Sequence, residues 1–181
     1  MEIFTTERLI IRRPRKTDLH SYLAYRNNPE SMKLQPIQAL TEEKAEEFLL
    51  QQAAINIDKA EGWIMFALEQ KNDGRMIGEV GIYISAQKAS LGDIGWSIHP
   101  DYQRRGYASE AAPFLLAYAF AERGLHRLTA NCTADNVPST RIMERLGMRR
   151  EGYFRESLFQ NDEWHDECLY ALLRDEWSDR H

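Results

Sequence analysis

The sequence predicts an α/β (α+β) fold in one domain spanning residues 1–181, and three observations carry that expectation. Apolar runs of strand length alternate with longer stretches whose apolar residues recur at helical spacing. Turn-forming residues stand between them, and no repeat, low-complexity tract or linker interrupts the order. A hydrophobic share of 43% against 28% charged residues is ordinary for a globular chain, and 181 residues can bury a sizeable core.

Taken in order, Arg8 to Arg13 form a short apolar run stopped by Pro14, a first strand. Thr17 or Asp18 can cap a helix that carries Leu19, Tyr22, Leu23 and Arg26 and closes at Asn27-Asn28-Pro29. Pro36 falls in a loop. Thr41 caps a second helix, with acids in its first turn and Ala45, Phe48, Leu49, Gln52 and Ala53 on one face. Trp63 to Glu69, Met76 to Ile84 and Leu91 to Ile98 read as strands, the first two joined by Asn72-Asp73-Gly74. Ala108 to Glu122 reads as a helix closed by Gly124. Pro113 should kink it, because proline there removes the bond to the Ser109 carbonyl. Arg127 to Thr133 alternates like a strand, and Pro138 to Leu146 is a short helix capped by Gly147. Arg149 to Phe159 and Glu163 to Leu173 make a hairpin around Asn161-Asp162.

Composition excludes several function classes. A net charge of −5 disfavours a nucleic-acid surface, which needs a basic face. Cys132 and Cys168 suggest neither a disulfide framework nor a zinc site, and no metal-ligand spacing accompanies them, so no metal is expected. No run approaches the roughly 20 apolar residues of a membrane span, and the N-terminus lacks the pattern of a signal peptide. A reducing cytoplasm is the expected compartment.

The chain is organised around residues 93–110, where an apolar strand passes through a turn into a helix rich in small residues. A helix start offers unpaired N–H groups and a positive dipole end, and glycine lets a ligand approach the backbone. This is a phosphate cradle. It matches neither the P-loop nor the dinucleotide fingerprint. Gln103-Arg-Arg-Gly-Tyr-Ala108 instead resembles the Gln/Arg-x-x-Gly-x-Gly/Ala motif of the GCN5-related N-acetyltransferases (GNAT), and Asn136-Val-Pro-Ser139 follows at the expected distance. Arg145-Leu-Gly-Met-Arg-Arg-Glu-Gly-Tyr153 and Trp164-His-Asp-Glu-Cys-Leu-Tyr170 are similar to the Rim-like branch, whose named members acetylate ribosomal-protein N-termini.

The resemblance implies a mixed central sheet of about seven strands with splayed middle strands, flanked by about four helices. It implies acetyl-CoA as cosubstrate, its pyrophosphate held by Arg104, Arg105, Gly106, Tyr107, Ala108 and Ser109 beside Gln103. Pantetheine would lie along Trp96, Ser97 and Ile98, opposite Ala130 to Cys132, with Asn136 bonding its arm.

Acetyl transfer to an amine needs a neutral amine, a donor for the carbonyl oxygen and a proton for the departing thiolate. A backbone N–H near Ile98 is the candidate oxygen donor. The short helix has no Tyr, which the family often uses as acid, and in the Rim-like branch Ser139 stands in its place; helix capping by Asn136 and Ser139 is equally open. Asp93 and Glu79 are candidate bases, each also readable as a solvated strand carboxylate. Trp63, Tyr83 and Trp96 read as core residues, Cys132 as a small residue beside the pantetheine path, and Glu110 as a complement to the helix dipole. The acceptor is expected to be a protein or peptide α-amine. Small-molecule amines and a non-catalytic acyl-CoA sensor are the alternatives, and a homodimer is a possible assembly.

Overall fold

A computed structural model describes residues 2–32, 39–86 and 90–178; the loop expected at Pro36 lies outside them. Eight strands form one mixed sheet: β1 (Glu2–Thr5), β2 (Leu9–Arg12), β3 (Gly62–Gln70), β4 (Met76–Ile84), β5 (Leu91–Ile98), β6 (Arg127–Thr133), β7 (Arg149–Gln160) and β8 (Glu163–Leu173). Their spatial order is β1-β2-β3-β4-β5-β6-β8-β7. The strand missing from the sequence reading is β1, whose Phe4 and Thr5 pair with Ile11 and Ile10 at the sheet edge. Being four residues long, it offers too few positions for alternation to show.

Six helices accompany the sheet among the described residues: α1 (Leu19–Arg26), α2 (Pro29–Met32), α3 (Glu42–Ala54), α4 (Tyr107–Ala117), α5 (Val137–Arg145) and α6 (Arg174–Ser178). The two beyond the expected four are single-turn pieces. Thr41 caps α3 as expected, its side chain accepting from the Lys44 N–H. Neither Thr17 nor Asp18 caps α1. A 3-10 turn over Lys16–Asp18 precedes that helix, and the Asp18 carboxylate turns away to take both Arg12 Nη1 (2.8 Å) and Nη2 (2.6 Å). Burying a guanidinium requires such a partner, and Arg12 is 1% exposed. Gly147 closes α5 as expected, with φ 83° and reciprocal bonds from Gly147 N to Glu144 O and Met148 N to Met143 O. Asn161 and Asp162 both take positive φ, the two-residue turn that joins β7 to β8.

Pro113 does not end its helix. It is exposed on the outer face of α4, and regular helix continues to Ala117 before widening into a π-turn over Tyr118–Glu122. The widening is visible in the bond from Arg123 N to Tyr118 O.

The two faces of the sheet bury separate clusters. Ile64, Phe66, Leu68, Val80, Ile82 and Ile94 meet Ala111, Phe114 and Leu115 of α4 on one side. Met65, Ala67 and Met76 meet Tyr22 and Tyr25 of α1 and Leu49 of α3 on the other. The period-two alternation of β3 thus sends one set of residues to each face.

Candidate active site

Among the described residues the only parallel neighbours in the sheet are β5 and β6, and they part company quickly. They pair over Leu91–Asp93 against Arg127–Thr129 and no further. Beyond that point a cleft of about 1190 Å³ opens, bounded by Ile94 to Ile98 on one wall and Ala130 to Thr133 on the other. Register shows which backbone groups face it. His99 N bonds Ile77 O and Ser85 N bonds Leu91 O, so the odd-numbered residues of β5 are tied to β4. Trp96 and Ile98 therefore turn their N–H and C=O groups towards the gap, as Ile94 does its C=O, its N–H belonging to the last rung with Thr129. On β6, the bonds from Ala134 N to Asp166 O and Arg174 N to His126 O tie the even-numbered residues to β8. Asn131 and Thr133 consequently face β5 across the gap. A ligand with two amides could complete this interrupted sheet. The expected splay is present.

At the far end of β5 the chain makes a turn over Pro100–Tyr102 and reaches the cradle. Arg104 (φ 60°) and Gly106 (φ 84°) are both left-handed, the alternation that turns successive N–H groups inward. Glycine suits this position because any Cβ would be strained at that φ. The first intrahelical bond of α4 runs from Glu110 N to Gly106 O, and no side chain caps the helix. The N–H groups of Tyr107, Ala108 and Ser109 thus stand at an uncapped, positive helix end. Arg104, Gly106, Tyr107, Ala108, Ser109 and Gln103 all border the cleft, joined by the cations Arg141 and Arg145 from α5. These residues fit a pyrophosphate.

Two expected ligand contacts behave differently. Arg105 does not border the cleft; its guanidinium lies 5.5 Å from the Tyr102 ring centre. Gln103 donates from Nε2 to the Ile98 carbonyl at 3.0 Å, so it closes one open group of β5 itself. The Ile98 N–H is left facing the gap, where the sequence placed an oxygen donor.

Asn136 and Ser139 sit at the start of α5, both bordering the cleft. Asn136 Oδ1 accepts from Ser139 N at 3.2 Å, the capping arrangement. Its amide nitrogen and the Ser139 hydroxyl are not used by that cap. Cys132 lines the β6 wall, its thiol pushed up to about 12 by burial, so no thiolate nucleophile is stored there.

The candidate bases separate. Asp93 stands where β5 and β6 still pair, and Thr129 Oγ1 donates to its Oδ2 at 2.7 Å. Burial raises its pKa to about 6 against that hydrogen bond, but it does not border the cleft. Glu79 does. It is 5% exposed and directly opposite Ser97, and so is not a solvated strand carboxylate. Tyr25 Oη donates to its Oε2 at 2.8 Å, and Arg26 Nη1 stands 3.4 Å from Oε1. Burial raises the Glu79 pKa, with Arg26 and the Tyr25 hydroxyl opposing.

Around Glu79 the cleft is finished by Arg26, Glu30, Ser31, Trp63 and Leu158. The Ser31 hydroxyl is buried with no partner among the described residues. Trp63 is a wall residue and not core: its ring lies over Gly81, where an added Cβ would come within 2.2 Å of it. Tyr83 is about half exposed. Tyr25, Arg26 and Ser31 escape a sequence reading because α1 and α2 reach Glu79 across some 50 residues of chain, with no local pattern to mark the meeting. Among the described residues no cluster of His, Cys, Asp and Glu could hold a metal ion, and no helix is long and apolar enough to cross a membrane.

Residues 8–149 match the family model described as "Acetyltransferase (GNAT) domain". The uncharacterized N-acetyltransferase YnaD of Bacillus subtilis is 37% identical over 174 residues, 96% of this chain and 98% of that protein. A solved GNAT-family acetyltransferase from Bacillus anthracis superposes with a TM-score of 0.83 at 35% identity, covering 97% of this chain and 100% of its own. A ribosomal-protein-S5-alanine acetyltransferase from Vibrio fischeri gives 0.82 at 25% identity, covering 96% and 97%. With the splayed strands and uncapped α4 cradle of that fold in place, the chain belongs to the GNAT family, with Rim-like relatives, and is an N-acetyltransferase.

Proposed function

We propose that this enzyme transfers the acetyl group of acetyl-CoA to the N-terminal α-amine of a protein or peptide, by direct attack with both substrates bound. The family uses acetyl-CoA, which supplies the activated thioester. Ile94 to Ile98 and Asn131 to Thr133 would hold its pantetheine arm, and Arg104 with Gly106 to Ser109 its phosphates.

The observation that carries the reading is the buried Glu79 facing Ser97 on the splayed strand. A carboxylate with a raised pKa accepts a proton from an approaching ammonium or its bridging water more readily than a solvated one. Tyr25 and Arg26 keep it in place. At pH 7 neutralising an α-amine of pKa ~7.8 costs about 1 kcal/mol, whereas a lysine near ~10.4 costs about 4.6. A single carboxylate already balanced by Arg26 suits the smaller task. The Ile98 N–H, which faces the gap, would take negative charge developing on the carbonyl oxygen. The Ser139 hydroxyl is our candidate donor to the departing thiolate. Asp93, held by Thr129 away from the cleft, is assigned no proton transfer.

The acceptor class also agrees with what the Vibrio fischeri relative is named for, an alanine of ribosomal protein S5. A cytoplasmic location fits that class of substrate. The test is thiol release from acetyl-CoA with a panel of free and N-blocked peptides, a lysine side-chain amine and a polyamine. Free peptides should turn over fastest at equal concentration, and blocking the N-terminus should abolish their turnover. A polyamine or lysine amine that outruns every peptide would overturn the assignment.

A further inference from the structure

Arg8 lies in the turn between β1 and β2, outside the cleft, yet it is bonded to the cradle at three points. Its Nη1 donates to the Arg105 carbonyl at 2.9 Å, and its Nε donates to Glu110 Oε2 at 2.7 Å. Its own backbone N–H donates to the other oxygen of Glu110 at 2.8 Å. The guanidinium also lies 4.4 Å from the centre of the Tyr107 ring, and Tyr107 is anchored at its hydroxyl by Gln70 Nε2 at 2.6 Å. The Thr6 hydroxyl also donates to Glu110.

The geometry has a directional meaning. In a trans peptide the C=O and the following N–H point in opposite directions. Holding the Arg105 carbonyl towards Arg8 turns the Gly106 N–H the other way, and Gly106 itself borders the cleft. The same guanidinium neutralises Glu110, a carboxylate one turn into α4 that would otherwise repel a phosphate at the helix mouth.

We propose that Arg8 is a positioning residue for acetyl-CoA: it fixes the Arg105–Gly106 peptide and cancels the Glu110 charge, so that the start of α4 accepts the pyrophosphate. This rests on the acetyl-CoA reading above.

The discriminating experiment compares acetyl-CoA with S-acetyl-pantetheine, which carries the same thioester and arm without the pyrophosphate. Arg8→Ala and Arg8→Lys should each raise the KM for acetyl-CoA and the calorimetric Kd for CoA about tenfold or more, with kcat changed less than about twofold. The kcat/KM for S-acetyl-pantetheine should stay at the wild-type value. Lysine belongs in the pair because it keeps a charge but cannot bridge the carbonyl, the carboxylate and the ring together. An equal loss with both thioesters would mean that Arg8 merely holds the fold, and no loss with either would mean that the cradle stands without it; both overturn the proposal. Wild-type protein that binds no CoA would instead sink the cosubstrate reading, and this inference with it.

Discussion

At the residue scale, the two candidate bases make opposite demands. As the proposed base, Glu79 would act only when deprotonated, and its pKa is raised by burial. Turnover should therefore rise with pH through that raised value. Glu79→Gln keeps an acceptor for the Tyr25 hydroxyl but removes the base, so kcat should fall about 10²-fold or more and lose that limb of the pH profile. Asp93 serves stability in a negative sense. Its folded pKa of about 6 exceeds the ordinary 3.8, so the folded state holds the proton more tightly, and stability falls as pH rises from about 4 to about 6. Asp93→Asn should match wild type near pH 3 and exceed it above pH 7, by at most ~3 kcal/mol, while activity is retained. Denaturant unfolding at the two pH values reads the difference. A large loss of kcat in this variant would return Asp93 to the chemistry.

At the element scale, what could be read from the chain depended on how local the signal was. The cradle is six consecutive residues between a strand and a helix, so its glycine and the missing cap were legible. The Asn136–Ser139 cap was legible for the same reason, and so were the turns at Gly147 and Asn161-Asp162. Glu79 was visible as a strand carboxylate, but its burial was not, because Tyr25 and Arg26 belong to a helix 54 and 53 residues earlier. The helix through Pro113 was legible to Glu122, where the ring faces outward and the neighbouring turns stay packed on the sheet. The cradle carries its own test. Gly106→Val places a Cβ on a residue with φ 84° and crowds the helix mouth, so CoA affinity measured by calorimetry should drop at least about tenfold. An unchanged affinity would mean that the phosphates lie elsewhere.

At the scale of the whole molecule, bound CoA should act as a missing strand. Amide exchange at Ile98, Asn131 and Thr133 should slow on adding CoA, whereas Ile94, already tied to β6, and Ser97, already tied to β4, should change little. Uniform protection along β5 would contradict the register. At a CoA concentration of 100 times Kd, the folded state should gain about 2.7 kcal/mol, read as a rise in Tm.

Three residue pairs are all that join β5 to β6 within the sheet. The molecule is in effect two leaves, β1 to β5 and β6 to β8, bound along a short spine and braced by α4. A molecule seated between the leaves along its length would lengthen that spine and tie both at once. Cosubstrate capture and mechanical closure of the sheet are then one event, and an acceptor arriving afterwards meets a book already bound.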